Sequence, residues 1–251
     1  MTLRTLSLDE LTYEEAGELL RRGAVALLPT GATEAHGPHL PLATDVVISA
    51  EAARRAARRL ETEGKLALVL PPVSYAVTEF AADFSGTISL PIETARALLR
   101  DVILGAVRTG FRGVVVCNAH LEPGNLTAIR EAVEEAEARG ARARFPDVTR
   151  KPHALRLGEE FKSGACHAGS YETSLVLAAS PSLVRTGLAA TLADNPSSLS
   201  VAIRAGKRSF REAGGERAYF GAPAAASASE GDALYAELAD IFASAARELL
   251  G

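Results

Sequence analysis

The sequence alternates short apolar runs with longer amphipathic stretches, and this alternation constrains the fold more than any other feature. The apolar runs have the length and composition of buried strands and occupy residues 24–29, 66–70, 113–117 and 141–145. Helical spacing of apolar positions predicts helices at residues 46–60, 92–109, 123–138, 171–179 and 232–250. Strands that alternate with helices form parallel sheets covered on both faces. The sequence therefore predicts a single three-layer α/β/α domain with a mainly parallel sheet.

Composition limits the class of protein and its surroundings. At 47% hydrophobic residues, a chain of 251 residues can bury a core, and we expect residues 1–251 to form one domain because the Gly/Pro/Ser-rich stretches 194–200 and 214–231 are short loops. A net charge of −4 gives no basic surplus for binding nucleic acid. The longest apolar run, residues 66–73, is far below the ~18 residues that a membrane span needs. We therefore expect neither nucleic-acid nor membrane partners. The two cysteines form no CxxC pair, which fits reduced thiols and a cytoplasmic location.

Polar residues with metal-ligand chemistry follow the first and third predicted strands. Glu34 and His36 come after the first strand, and His120 and Glu122 come after the third. Each pair is spaced i, i+2, which in extended backbone sends both side chains to the same side. Imidazole and carboxylate together suit Zn, Mn or Fe, and Asp45 could bridge two cations ~3.5–4 Å apart. Spacing alone thus permits a metal site where the strands end.

The same residue types also serve roles that need no metal. Asp45 and Asn125 precede helical patterns and could serve only as helix N-caps. Cys166 beside His167 permits a cysteine nucleophile, although a lone cysteine is more often a small buried hydrophobe. The basic residues of segment 204–211 are either a solvated charged loop or a contact for an acidic substrate or a neighbouring subunit.

Several motifs resemble those of the creatininase family. The run EAHGPHLP at residues 34–41, followed by Asp45, resembles the family's leading motif. Further along, NAH at 118–120 is similar to its Asn-Gly-His segment, and HAGSYETS at 167–174 resembles its His-Ala-Gly-x-x-Glu-Thr-Ser segment. Weaker similarities lie at residues 84–90 and 221–231. The motifs keep the family's order over most of the chain.

The resemblance implies two divalent cations per chain, Zn, Mn or Fe, with Asp45 as the bridge. The expected ligands are Glu34, Asp45 and His120 for one cation and His36, Asp45 and Glu122 for the other. Many relatives carry Gly-Gly where this chain has Leu121 and Glu122, so Glu172 is the alternative fifth ligand. The family also implies a homo-oligomer, a hexamer.

By the same resemblance, a metal-bridging hydroxide attacks a carbonyl or amidine carbon, and His167 delivers a proton to the departing nitrogen. Glu122 and Glu172 complete the expected catalytic set. The leading functional hypothesis is hydrolysis of a C–N bond in a small cyclic amide or formamide. Two alternatives are a peptidase acting on a small modified peptide and a metal-binding or structural member without activity.

Two departures from creatininase affect the substrate. Cys166 stands where creatininase has an acid, and the chain has no tryptophan, the residue with which creatininase encloses creatinine. Creatinine is therefore a poor candidate. The family includes enzymes acting on formamidopyrimidines and peptidases that trim a redox-peptide precursor, and the sequence does not distinguish between them.

Overall fold

A four-stranded parallel sheet forms the middle layer of the protein. The computed structural model describes residues 5–165 and 167–251. The strands are β1 (Val25–Thr30), β2 (Ala67–Val69), β3 (Val114–Asn118) and β4 (Ala143–Arg144), arranged in the order β2-β1-β3-β4. All neighbouring strands are parallel, with Leu27 opposite both Val69 and Val115.

Helices connect the strands and cover the sheet. Their bounds are α1 (Tyr13–Arg21), α2 (Thr44–Thr62), α3 (Ile92–Thr109), α4 (Pro123–Ala138), α5 (Gly158–Ser163), α6 (Ser170–Ala179), α7 (Thr186–Ala189), α8 (Leu199–Arg204) and α9 (Ala228–Leu250). Local sequence sets several of these ends. Thr12 and Glu15 form a capping box at the start of α1, and Ser227 accepts a hydrogen bond from the Glu230 N–H at the start of α9. Gly110 ends α3 in the left-handed conformation.

Alternate residues of the central strands face two separate cores. In β1, Val25 and Leu27 pack into the core that contains α2, α6 and α9, whereas Ala26 and Leu28 pack into the core that contains α3 and α4. All four are fully buried. Burying a leucine side chain contributes about 1.5–3 kcal/mol, so β1 is stabilised from both faces. The predicted three-layer α/β/α fold is confirmed.

The predicted elements are present, with differences at some of their ends. β4 is shorter than the predicted strand at residues 141–145. Helix α1 was not predicted, and the stretches expected to be loops contain the first residues of α8 and α9. In α9, the Ser227 cap and packing against the core override the Gly/Ser/Ala-rich composition, whereas α8 receives no side-chain cap from any described residue and packs through the partly buried Leu199 and Ala202. Among the residues that the structure describes, no helix is both long and apolar enough to cross a membrane.

The sheet topology places two loops side by side. The last residues of β1 and β3, Thr30 and Asn118, are paired in register, and the Thr30 hydroxyl donates a hydrogen bond to Asn118 Oδ1 at 3.0 Å. The carboxyl ends of adjacent parallel strands open onto a common edge, where ligands bind in sheets of this kind. The segments after Thr30 and after Asn118 therefore meet.

Candidate metal centre

Three elements bring buried carboxylates and imidazoles to this edge. The loop after β1 supplies Glu34 and His36, the first turn of α2 supplies Asp45, and the segment after β3 supplies His120. All four side chains are buried. The Ala32 N–H donates to Asp45 Oδ2 at 3.2 Å and so links the loop to the helix. The structure thus brings together four of the five residues that the resemblance implies as ligands.

Asp45 lies between two histidines. Its Oδ1 is 3.2 Å from His36 Nε2, and its Oδ2 is 3.1 Å from His120 Nδ1. Glu34 Oε1 is 3.3 Å from His120 Nδ1 and 3.6 Å from His36 Nε2. Donor atoms bound tetrahedrally to one ion at 2.0–2.1 Å lie about 3.4 Å apart. The spacing suits cation ligands, and each Asp45 oxygen could serve a different cation.

Backbone carbonyls orient the three histidines at this edge of the sheet. In each ring the nitrogen that points away from the cluster lies within hydrogen-bonding distance of a backbone carbonyl, which selects the tautomer protonated on that nitrogen. The contacts are His36 Nδ1 to Glu34 O (3.2 Å), His120 Nε2 to Val77 O (2.8 Å) and His167 Nε2 to Ala35 O (3.0 Å). When the ring is neutral, its other nitrogen carries the lone pair and faces the acids as a potential metal ligand. This is how proteins orient metal-binding imidazoles.

The positions of Glu122 and Glu172 differ from the expectation that Glu122 binds the same cation as His36. Glu172 has a ligand atom within 4.8 Å of those of His36 and Asp45, whereas Glu122 joins the group of Glu34 and His120. The Glu122 carboxylate accepts hydrogen bonds from the N–H groups of residues 79 and 80, which holds it on the His120 side. Glu172 lies in the first turn of α6, with Oε2 3.6 Å from His36 Nε2.

The buried carboxylates and imidazoles of the cluster shift one another's pKa. Burial by itself lowers the pKa of His36, but the Asp45 and Glu172 carboxylates outweigh it and raise that pKa to about 10. The Glu34 and Asp45 carboxylates likewise raise the pKa of His120 against the effect of burial. Conversely, both carboxyls keep a lowered pKa despite their burial because of the neighbouring histidines. When no cation is bound, the neighbouring carboxylates therefore keep the imidazoles of His36 and His120 protonated.

In the remaining acids and the third histidine of the cluster, burial sets the direction of the pKa shift. Burial raises the pKa of Glu172 to about 8 and that of Glu122 to about 7. Burial, together with the nearby His36, lowers the pKa of His167 to about 4, so that imidazole is neutral at pH 7. Its Nδ1 lies 3.8 Å from Glu34 Oε1, close enough to join Glu34 and His36 as a further group of potential ligands.

The residues fit a divalent metal. His36 Nε2 is fully buried and lies 3.2 Å from Asp45 Oδ1, yet it makes no hydrogen bond of acceptable geometry with any described residue. An orphaned buried nitrogen aimed at two carboxylates is satisfied when a cation lies between them. The Thr78 hydroxyl holds the second oxygen of Glu34. A buried set of imidazole and carboxylate donors matches the preferences of Zn, Mn and Fe.

A cavity of about 540 Å³ opens above the cluster. Its floor contains Glu34, Asp45, His120, Glu122, His167 and Glu172. Much of its wall is apolar and includes Phe80, Leu121, Leu126, Phe161, Ile203 and Phe210. The Phe210 ring lies against His167, with centroids 4.1 Å apart. Cavities of this size hold drug-sized ligands.

Comparison with known proteins gives the family. A sequence profile of the creatininase family, described as creatinine amidohydrolase, matches residues 9–246. This chain belongs to the creatininase family. The resemblance inferred from the motifs is thereby confirmed.

Named relatives of this creatininase-family chain fall into two groups. The mycofactocin precursor peptide peptidase of Mycobacterium ulcerans (strain Agy99) is 34% identical over 244 residues, covering 93% of this chain and 88% of the relative. Its counterpart in Mycobacterium tuberculosis H37Rv is 32% identical, covering 92% and 88%. The creatinine amidohydrolase of Pseudomonas putida is 30% identical, covering 72% and 74%. A crystal structure of creatinine amidohydrolase superposes with a TM-score of 0.74 at 25% identity, covering 98% of both chains.

Family membership establishes the class of reaction. The creatininase-family chain is a hydrolase of C–N bonds other than ordinary peptide bonds, as the sequence predicted. Cys166, which departs from creatininase, lies outside the described residues. Cys117 is buried in β3, where burial raises the pKa of its thiol and favours a packing role.

Some residues of the site gave no signal in the sequence. Thr78 and Phe80 follow β2 in an irregular segment, and only the folded chain brings them to Glu34 and Glu122. Glu160 on α5 is a second example, since its carboxylate binds backbone at the start of α6. A single polar residue in a short helix does not stand out from a solvated surface acid.

Proposed function

We propose that this protein is a metal-dependent hydrolase that cleaves an amide bond in a short, modified peptide. The observation that carries the proposal is the size of the cavity above the cluster, about 540 Å³. A small cyclic amide leaves most of that volume empty, whereas a peptide segment of a few residues fills it. The similarity to peptidases named for a peptide precursor over 93% of the chain supports the same choice.

Two divalent cations, Zn, Mn or Fe, are proposed to bind at the cluster. Asp45 would hold both cations, Glu34 and His120 would hold one of them, and His36 and Glu172 would hold the other. When bound, the cations supply an activated water and polarise the carbonyl of the scissile bond. Glu122 stays beside His120, either as a ligand or as a proton acceptor at the edge of the cluster.

Proton transfer is assigned to the protein's own side chains. His167 keeps its Nε2–H on the Ala35 carbonyl and presents Nδ1 to the cavity. From that position Nδ1 can take up a proton and pass it to the departing nitrogen. Glu122 and Glu172, which also line the cavity, are the other two residues proposed to handle protons. Phe80 and Phe210 reduce access of bulk water to these groups.

The proposal is tested by comparing substrates on the metal-loaded protein. The mycofactocin precursor peptide and its modified form are incubated alongside creatinine and a set of formamides, and products are identified by mass spectrometry. We expect cleavage of the peptide, loss of cleavage in His167→Asn, and retention in the control His153→Asn. Hydrolysis of a cyclic amide with an intact peptide would contradict the proposal.

Hydrolysis of a small cyclic amide is the second candidate function. The Pseudomonas putida creatinine amidohydrolase, 30% identical over 72% of this chain, supports it. The absence of tryptophan from the sequence speaks against creatinine itself. The same substrate comparison decides between the two candidates.

We also propose a setting for the enzyme. Residues 1–251 act as one metallohydrolase domain in a cytoplasmic homo-oligomer, a hexamer. The oligomer is proposed from membership of the creatininase family. Size-exclusion chromatography with light scattering measures the oligomeric state.

A further inference from the structure

The cavity above the metal cluster has a second polar zone made of cations. Lys151, Lys162 and Arg204 line the cavity together with the floor residues. Lys151 lies in the turn after β4, Lys162 on α5 and Arg204 at the end of α8, so three separate elements contribute one cation each. Lys162 pairs with the exposed Glu159. For Lys151 and Arg204, the described residues provide no ion pair.

The charges that line the cavity do not balance once metals are bound. Four carboxylates line it, those of Glu34, Asp45, Glu122 and Glu172. Two divalent cations neutralise these four acids, and because Lys162 is paired with Glu159, the cationic side chains of Lys151 and Arg204 are left uncompensated. Clefts lined by charge of one sign with apolar walls focus the field and concentrate ligands of the opposite sign. The loaded cavity therefore attracts anions.

Apolar groups accompany the two unpaired cations. Leu155, 54% exposed, lies four residues after Lys151, and Ile203 directly precedes Arg204. Both line the same cavity as the cations. A ligand that matches this part of the wall combines an apolar group with a negative charge.

We propose that Lys151 and Arg204 form a specificity site for a carboxylate carried by the substrate, next to an apolar side chain. The inference rests on the proposed peptidase function and names its substrate class: an amide or peptide with a free carboxylate away from the scissile bond. The carboxylate belongs either to the peptide C-terminus or to an acidic side chain. Charge-assisted hydrogen bonds from lysine and arginine recognise it in both cases.

Binding of matched dipeptides tests the proposal without requiring cleavage. The probes are N-acetyl-leucyl-leucine and its C-terminal amide, titrated calorimetrically into metal-loaded protein. We expect the free acid to bind more tightly than the amide, and we expect this preference to fall about tenfold in the double variant Lys151→Gln/Arg204→Gln. The matched control, Arg108→Gln/Lys207→Gln, removes the same two charges from positions outside the cavity lining and should keep the preference.

A third probe, N-acetyl-glutamyl-leucinamide, distinguishes the source of the carboxylate. Binding as tight as that of the free acid assigns the site to an acidic side chain, and weak binding assigns it to a C-terminus. An unchanged preference in the Lys151→Gln/Arg204→Gln protein, with metal content and circular dichroism as in the wild type, would overturn the inference. Failure of the wild type to bind any probe would also overturn it.

Cleavage of the probes is followed in the same samples, so that the two proposals can fail separately. A charge preference without hydrolysis of either the probes or the modified precursor peptide supports the carboxylate site and counts against the peptidase. Hydrolysis without a charge preference supports the peptidase and counts against the carboxylate site.

Discussion

Glu160 organises the segment that carries His167 and Glu172, and its replacement should be costly. Its Oε1 accepts hydrogen bonds from the backbone N–H groups of Ser170 at 3.0 Å and Ala222 at 2.8 Å. Its Oε2 accepts one from the Tyr171 N–H at 2.7 Å. The carboxylate thereby joins α5, the start of α6 and the segment at residue 222.

The surrounding backbone leaves room for this carboxylate and little else. A Cβ added at Gly221 would lie 2.1 Å from Glu160 Oε1, and one at Gly169 would lie 2.5 Å from Oε2. Gly221 also has φ +82°, which a side chain would strain. Both glycines are thus required for Glu160 to approach the chain.

The change Glu160→Gln keeps the shape of the side chain and replaces one acceptor oxygen with an NH₂ group. At least one of the three backbone N–H groups then faces a donor and loses its partner. An unsatisfied buried N–H costs about 1–3 kcal/mol. For a chain of this length, a loss of about 2 kcal/mol lowers Tm by roughly 4–8 °C.

The assay is urea unfolding of the metal-free protein, followed by circular dichroism, together with metal analysis of the loaded protein. The control is Glu159→Gln, whose side chain is 90% exposed in its ion pair with Lys162, and its expected cost is below about 1 kcal/mol. Because α6 carries Glu172, we expect Glu160→Gln also to weaken metal retention. Equal stability of the Glu160→Gln and Glu159→Gln proteins would show that the three backbone hydrogen bonds to Glu160 do not stabilise the fold.

Three further predictions concern packing, a buried hydroxyl and protons. A Cβ at Gly31 would lie 2.7 Å from backbone and side-chain atoms of Asp45. We therefore expect Gly31→Ala to lower the free energy of unfolding by about 1–3 kcal/mol and to lower the metal content. The control Gly105→Ala, whose added Cβ meets open space, should have neither effect. Tyr235→Phe should leave Tm unchanged or raise it, since its buried hydroxyl has no hydrogen-bond partner among the described residues, and a clear fall in Tm would contradict this. Because Asp45 and Glu172 outweigh burial and raise the pKa of His36 to about 10, metal loading at pH 7 should release protons and weaken as the pH falls. Calorimetry in buffers of different ionisation enthalpy detects that release, and an absence of release would count against His36 as a ligand.

The sequence contained most of the information needed for the fold. Runs such as residues 24–29 are apolar throughout, which is the pattern of a strand buried on both faces, and β1 is buried in that way. Helix α1 was not predicted, although the sequence carries a signal for its start, the capping box at Thr12 and Glu15. At nine residues the helix spans only about two and a half turns, so its apolar positions repeat too few times to stand out as a helical pattern.

Much of the site also followed from the sequence, for a topological reason. Residues after β1 and after β3 meet because these strands are neighbours, so the i, i+2 pairs at Glu34 and at His120 converge. The placement of Glu122 and Glu172 could not be predicted from spacing. It depends on the N–H groups of residues 79 and 80, and on the direction in which α6 enters the site, which only the folded chain shows.

Metal content is the most direct test of whether this chain binds two divalent cations at Asp45. Protein purified without chelators is analysed for Zn, Mn and Fe, comparing the wild type with Asp45→Ala, His120→Ala and the control His153→Ala. We expect close to two divalent ions per chain in the wild type and the control, and a sharp loss in the Asp45→Ala and His120→Ala proteins. A folded wild-type chain that binds none of these metals, even when they are supplied, would contradict this expectation.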